Sequence, residues 1–390
     1  MGCCDMKKIV GIFIVLTMIG MVIGLFYYDA GKNGNNDVLE VKGIVLETDD
    51  SDIIKGGVSK IGNQFLVVRI LEGKHKGKEF QATNQLLGQL EYDSYYRPGD
   101  KLVVAVLEKD GQIIGVKALE HYRQDWLLVL FGVFVLCLLL YAGFVGLKAL
   151  FSFVASLYIL WNFLIPGLLD GKNPLMLVAF VLMMLSGVII FSVAGFTRKG
   201  LAAFTGTLCG LFITIGLTVF FGEKLMLHGM TAPFVGTLLF SGYLHLDIRK
   251  IFYGAVLIGA SGAAMDIAMD VAASMEEVKL KRPDIRMREL VQSGFNVGRA
   301  VIGTMTTTLL LAYAGGYLTL LMLFMTKNSS FIRIMNLKLV AAEVMRTVVG
   351  SIGLVLVAPI TAVVGGWILS LNTEYFLPER RKKSVPEVRR

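Results

Sequence analysis

Two carboxylates one helical turn apart, inside an otherwise apolar run, are the residues of this 390-residue chain best placed to do chemistry. They are Asp266 and Asp270, in the stretch Gly259-Ala-Ser-Gly-Ala-Ala-Met-Asp266-Ile-Ala-Met-Asp270-Val-Ala-Ala-Ser274-Met-Glu276-Glu277. On a helix advancing about 100° per residue, Gly259, Gly262, Ala263, Asp266, Asp270, Ala273, Ser274 and Glu277 fall along one stripe. Ile267, Met269 and Val271 lie off it. Small residues such as Gly259 and Gly262 let another helix approach closely. A carboxylate near the middle of a membrane helix costs about 2.5–3.5 kcal/mol to insert. Two on one face also repel when both are ionised. A proton, a cation or an arginine relieves that cost, so the expected chemistry is cation or proton binding at a helix interface. The structural alternative is that arginine and backbone donors hold both carboxylates as packing glue. Glu276 and Glu277, near the end of the apolar run, read as solvated.

The next apolar segment supplies candidate charge partners and substrate-path residues. Asn296 and Arg299 open it, and Gly303, Thr304, Thr307 and Thr308 make it unusually polar. Its depth lets Arg299 reach Asp270, and Asp266 less easily. Threonines at such positions also bond backbone carbonyls and bend helices. Further on, Glu343 and Arg346 at i, i+3 spacing read as a self-compensating pair, and Pro359 predicts a kink. Gly206-x3-Gly210 followed by Thr214 marks a second close-packing face. His228 and His245 with Glu223 and Asp247 carry no HExxH or CxxC spacing, so no metal site is expected. Walker A, GxSxG and Cys-His nucleophile patterns are absent, and Gly195-x3-Lys199-Gly200 is no phosphate loop. A bilayer aspartyl protease would need facing carboxylates from two helices, whereas Asp266 and Asp270 share one. Neither a cofactor nor an enzymatic activity is therefore expected.

The elements that must position these residues follow from composition. Apolar residues make up 55% of the chain and charged ones 17%, against about 45–50% and about 25% in soluble domains. This excludes a single soluble core, a disordered chain and a disulfide scaffold, and points to a multi-span membrane protein embedded in a lipid bilayer. A span takes roughly 20 residues. Ile9 to Tyr28, behind Lys7–Lys8, is too long for a signal-peptide core and reads as an uncleaved anchor. Residues 29–124 are different material. A polar linker at 31–36 precedes five β-rich runs, Leu39 to Glu47, Gln64 to Leu71, Lys78 to Thr83, Lys101 to Glu108 and Gln112 to Leu119, separated by turns that include Pro98-Gly99-Asp100 and Asp110-Gly111. That spacing suits a small, OB-like barrel, with Tyr92, Tyr95 and Tyr96 as a packing cluster.

From residue 126 the spans are predicted at 126–147, 149–168, 174–196, 201–221, 251–275, 296–325 and 340–369, eight with the anchor. The expected fold is thus mainly α, a polytopic helical membrane protein with an N-terminal extracytoplasmic β-rich domain. Its parts are an anchor at 1–28, the β-rich domain at 29–124, the membrane domain at 125–371 and a basic tail at 372–390. Segment 231–246, with Pro233, His245 and Asp247, is apolar but short and reads as interfacial or re-entrant. The net charge of +8 sits mainly in short loops and termini: Lys7–Lys8, Arg198–Lys199, Lys279 to Arg288 and Arg380 to Lys383. The positive-inside rule then puts both termini in the cytoplasm of a cell membrane, and no nucleic-acid partner is expected. Of four cysteines, Cys137 and Cys209 lie in apolar segments, and nothing supports acylation of Cys3 or Cys4.

Residues 251–325 resemble the YibE/F family of multi-span membrane proteins of bacteria and archaea. The likeness rests on the Gly-Ala-rich start leading to Met265-Asp266-Ile-Ala, on Ala272-Ala273-Ser274-Met-Glu276-Glu277, on Asn296-x-Gly298-Arg299 and on Gly303-Thr304-Met-Thr306. It extends to Leu71-Glu72-Gly73-Lys74 and Tyr96-Arg97-Pro98-Gly99-Asp100 in the β-rich domain. The resemblance implies a polytopic, permease-like protein and carries over Asp266 and Arg299; it brings architecture rather than a substrate. The function expected is a membrane transporter or permease for a small solute or ion. The alternative is a non-transporting scaffold whose β-rich domain engages a protein partner, a lipid or an envelope component.

Overall fold

The computed structural model describes residues 11, 14–24, 38–90, 92–109, 112–326 and 330–371. The linker at 31–36, Cys3, Cys4, the Asp110-Gly111 turn, the basic pair Lys7–Lys8 and the tail 372–390 lie outside the described residues. The chain divides into two compact units, residues 26–143 and residues 1–25 with 144–390.

The first unit holds five strands: β1 (Val38–Gly56), β2 (Ser59–Ile70), β3 (Glu79–Leu87), β4 (Lys101–Lys109) and β5 (Gln112–His121). They close a barrel in the order β1-β2-β3-β5-β4, with β1 antiparallel to β4 and a short parallel seam at Thr83–Lys117. β1 outruns the predicted strand by nine residues beyond Glu47, because it continues into a hairpin with β2 around Gly57, whose φ is +64°. A left-handed residue at such a turn suits glycine. Alternation along β2 buries Gln64, Leu66, Val68 and Ile70 in the barrel. Gln64 is the polar member of that set, and it is fully bonded. Its Nε2 donates to the Tyr96 carbonyl at 2.9 Å and to Asp50 at 2.9 Å, and its Oε1 accepts from Tyr96 N at 3.1 Å and Asn84 Nδ2 at 3.2 Å. This clamp ties the Tyr95–Pro98 loop over the end of the barrel. Of the three tyrosines expected to pack together, Tyr96 alone enters the core; burial pushes its hydroxyl up to about 12. Tyr95 donates to Asp50 and Tyr92 is exposed. Glu108 accepts from Lys74 at 3.3 Å and lies 2.6 Å from His75 Nε2. The His75 hydrogen bond holds that carboxyl below the usual carboxylate range.

The helices are α1 (Ile14–Gly24), α2 (Gln124–Ile159), α3 (Ile165–Leu169), α4 (Pro174–Ala194), α5 (Arg198–Lys224), α6 (Val235–Phe240), α7 (Ile248–Lys281), α8 (Met287–Gly316), α9 (Leu318–Thr326), α10 (Phe331–Met335) and α11 (Lys338–Ser370). Among the described residues six helical stretches are long and apolar enough to cross a membrane. The difference from eight has two local causes. The spans expected at 126–147 and 149–168 form one stretch, Gln124–Leu169, joined through a π-helical turn and interrupted at Gly143, whose φ of 51° and ψ of −123° leave the helical region. Lacking Cβ, glycine takes that conformation readily, so the break falls there and not at Lys148. The described part of the first helix, Ile14–Gly24, is shorter than a span. The segment expected at 296–325 also divides, at Gly316-Tyr317, into α8 and α9. In 231–246 only the six-residue α6 forms. α11 runs through Pro359 as one helix.

α7 and α11 are central. α11 packs on α5, α7 and α8, and α7 packs on α4, α5, α8 and α11. The contact of α5 with α11 is a zipper of small residues: a side chain on Gly206 would collide with Thr361, one on Gly210 with Val357, and one on Gly353 with Thr214. The Gly206/Gly210 face is therefore a packing face, as its spacing suggests.

Candidate functional site

α7 is capped by Asp247, whose Oδ1 accepts from Lys250 N at 3.1 Å. Its two sides differ completely. Ile267, Ala268, Val271, Ala272 and Met275 are fully buried against neighbouring helices. Ala255, Gly259, Gly262, Asp266, Asp270, Ala273 and Glu277 form the exposed line on the other side. Most of the small and acidic stripe of the sequence is thus an exposed face of α7 among the described residues. Gly259 has the Tyr313 hydroxyl nearby, 2.9 Å from where a Cβ would sit, whereas nothing lies within 4 Å of that position on Gly262. Gly262, expected to pack a helix, has open space.

α8 runs antiparallel beside α7, and its glycines do the packing. A Cβ on Gly294 would meet Met275 of α7 and Ala362 of α11, and one on Gly298 would meet Ala358 at 3.0 Å and Val271 at 3.7 Å. In Asn296-x-Gly298-Arg299 the glycine therefore points inward, and Asn296 and Arg299 are exposed. Asn296 accepts from Gln292 at 3.3 Å. The contact of Gly298 with Val271 also sets the level: Arg299 and Asp270, the adjacent residues on antiparallel helices, lie at the same depth. No hydrogen bond or ion pair joins them in the described structure. The reason is angular. Arg299 shares a line of α8 with Thr306, two turns on, and Thr306 lines the groove between α8 and α11 with Thr307, Leu310, Val348, Ile352 and Val355. Arg299 is turned to the α11 flank, and the aspartates lie on the outward side of α7. Thr304 and Thr308 bond back to the carbonyls of Val301 and Thr304.

Several other charges of the helical unit are paired. Glu276, expected to be solvated, is half-buried and pairs with Lys199 of α5 at 2.8 Å; Glu277 is exposed and lies 3.4 Å from Lys281. Glu343 and Arg346 pair at 3.5 Å. Tyr317 donates to Glu343 at 2.8 Å, a partner whose only sequence cue is a pair of tyrosines, Tyr313 and Tyr317, one turn apart. The histidines do not converge on a metal: His228 Nδ1 is 3.0 Å from Arg249 and His245 Nε2 is 3.0 Å from the Leu169 carbonyl. Among the described residues no group of three or more His, Cys, Asp or Glu is placed to hold a metal ion.

What this face can do chemically is hold a positive charge. Two carboxylates project from one helix, next to a strip of small side chains, at the depth of a polar second helix. Residues 35–120 of the chain match the YibE/F family N-terminal domain, and residues 130–371 match the family described as YibE/F-like protein. No curated protein and no solved structure matches the chain.

Proposed function

We propose, from the premise that this chain belongs to the YibE/F family, that it is a multi-pass transporter or channel-like permease with a cation- or proton-binding site at Asp266 and Asp270. The observation that carries this reading is a pair of carboxylates with no hydrogen-bond or ion-pair partner among the described residues, on an exposed face of a long apolar helix. An ionisable group at that depth is expensive and is otherwise paired away, as Glu343 is with Arg346. Bound cation or protons offset the repulsion between the two. Asn296 and Thr304 supply neutral oxygens on the neighbouring helix, whereas Thr307 and Arg299 face the α11 flank.

In this reading the protein lies in a bacterial cell membrane. With the Gln124–Leu169 stretch crossing twice, turning at its non-helical Gly143, both termini face the cytoplasm with the basic loop 279–288, and the barrel stands outside. An alkaline phosphatase fusion after Pro283 should be inactive and a fluorescent-protein fusion there bright; the reverse would overturn this topology.

The functional test uses proton flux into proteoliposomes, driven by a potassium diffusion potential and read by an enclosed pH dye, and sodium flux in parallel. Asp266→Asn should abolish the flux while the protein stays folded; unchanged flux would count decisively against the site.

A second reading, a scaffold that binds through the barrel, is favoured by one observation. Ile61 on β2 sits across from Ile54 on β1 and from Leu87 on β3, all exposed, with exposed Val58 at the hairpin turn. Such a patch suits a partner. If Asp266→Asn chiefly lowers thermal stability, with no dependence on ion or pH, the scaffold reading gains.

A further inference from the structure

We infer that two copies of this chain pack through the outward faces of α7 and α8, so that Asp270 and Asp266 of one copy meet the partner subunit's Arg299. The inference rests on the reading that α7, α8 and α11 cross a membrane, and it does not depend on what is transported.

Three features fit one another. The outward line of α7 is small and acidic, and Gly262 on it has nothing within 4 Å. The flank of α8 that faces α11 carries Arg299, followed by an open groove of about 410 Å³ lined by Thr306, Thr307, Leu310, Val348, Ile352 and Val355. The levels agree as well. Gly298 lies against Val271 and Gly259 beneath the Tyr313 hydroxyl, so Arg299 stands level with Asp270. The groove at Thr306–Leu310 stands level with Gly259 and Gly262.

Two copies with the same topology in a membrane can be related by a two-fold axis only along the membrane normal. That axis keeps every residue at its own depth and makes the contact self-complementary. It also reverses the lateral order of the helices. Viewed from one copy, α7 faces the partner's α8/α11 flank, and α8 faces the partner's α8. The acidic residues of each copy then meet an arginine at their own level, and Gly259 and Gly262 enter an apolar groove at theirs. Within one chain Arg299 is on the wrong flank to do this; across the two-fold it is on the required one. Close packing of glycines against a neighbouring helix is the usual basis of such contacts in membranes. α1 does not cover this face: Gly24 packs on Tyr158 of α2. The apolar Trp126 to Tyr141 run of α2 offers the carboxylates no cation.

The test is cross-linking of the full chain in nanodiscs or native membranes, with Cys3, Cys4, Cys137 and Cys209 replaced by serine. Gly262→Cys combined with Ser351→Cys places thiols on α7 and on the groove-side face of α11, at matching depth and on different flanks of one chain. Mild oxidation should give a disulfide-linked dimer from the double variant and much less from either single one. In a second arm Asp270→Arg and Arg299→Asp should each weaken dimerisation by about tenfold or more, and the two together should restore it. Folded protein that remains monomeric and uncross-linked overturns the inference, as does a disulfide within one chain between Gly262→Cys and Cys137 in a companion variant that keeps that native cysteine. Because the cysteine pair keeps the native charges, the result stands even where charge reversal prevents folding. Loss of flux in Asp266→Asn without any cross-linked dimer would leave the transport reading intact and remove this one.

Discussion

The contact of α5 with α11 and the outward face of α7 are made of similar residues and end in opposite states. Gly206, Gly210 and Thr214 meet Thr361, Val357 and Gly353 so closely that no added side chain fits. Gly259, Gly262 and Ala273, on a helix equally able to pack, lie exposed. The acidic residues separate the two cases. A stripe of Gly and Thr loses little when another helix covers it, because a threonine hydroxyl can bond a carbonyl on its own helix, as Thr214 does with Gly210 at 2.8 Å, and the cost is confined to hydroxyls such as that of Thr361, which is buried without a partner among the described residues. A stripe that also carries Asp266 and Asp270 can be covered only by something that brings positive charge, and α4, α5, α8 and α11 bring none to that side. The barrel illustrates the same rule from the satisfied end: Gln64 is completely buried and every one of its polar atoms is bonded.

The comparison is broken most forcefully at the zipper. Gly210→Leu should cost about 3 kcal/mol or more through overpacking against Val357, read as loss of folded protein on thermal denaturation in detergent. Gly262→Ala should leave the stability of the single chain within about 1 kcal/mol, with a slight gain from helix propensity. Equal losses at the two glycines would show that the outward face is packed after all.

Next in size is the barrel. Gln64→Ala strands the Tyr96 amide and carbonyl, and should cost about 2 kcal/mol, seen in the full chain as faster hydrogen exchange across β2 and β3. Protection that stays unchanged would mean that the clamp is not what holds the Tyr95–Pro98 loop.

Smaller still is Asp266→Asn, which should alter stability by less than about 0.5 kcal/mol, because the carboxylate has no partner among the described residues to lose. A large loss would place Asp266 with Gln64, among groups that hold the fold.

The smallest effect is acid lability at Glu108. Its carboxyl sits below the usual range because His75 bonds it, so its contribution is present above the ordinary glutamate value of about 4.3. That contribution fades as pH falls below that value and through the lower folded one. Glu108→Gln should flatten the acid limb of exchange from β4 amides; an unchanged limb would assign it to other carboxylates.

Much of this was legible in the residues. Apolar runs of span length announced α4, α5, α7 and α11 within a few residues, since an apolar stretch of about 20 has few other uses. Strand alternation and Pro-Gly turns announced the barrel's five strands. Less legible were the break at Gly143 and the division at Gly316-Tyr317, because a glycine inside an apolar run reads the same whether the helix continues or stops. The extension of β1 to Gly56 was hidden by Asp49, Asp50 and Asp52, which look like a loop and are instead an exposed ribbon paired with β2. The Lys199–Glu276 pair and the Tyr317–Glu343 bond join residues 77 and 26 positions apart, beyond any local pattern.

By itself the sequence determined that this chain has a β-rich part and a membrane-like helical part, that both match one family, and that Asp266 and Asp270 share a face. These follow from period, composition and motif, which are properties of short stretches. Only the tertiary structure decided which small-residue stripe is packed and which is open, and on which flank of α8 Arg299 stands. Those depend on the angle at which each helix meets its neighbours, and a helix alone does not specify that angle: Gly294 and Gly298 set it, by being points where α8 comes close to both α7 and α11.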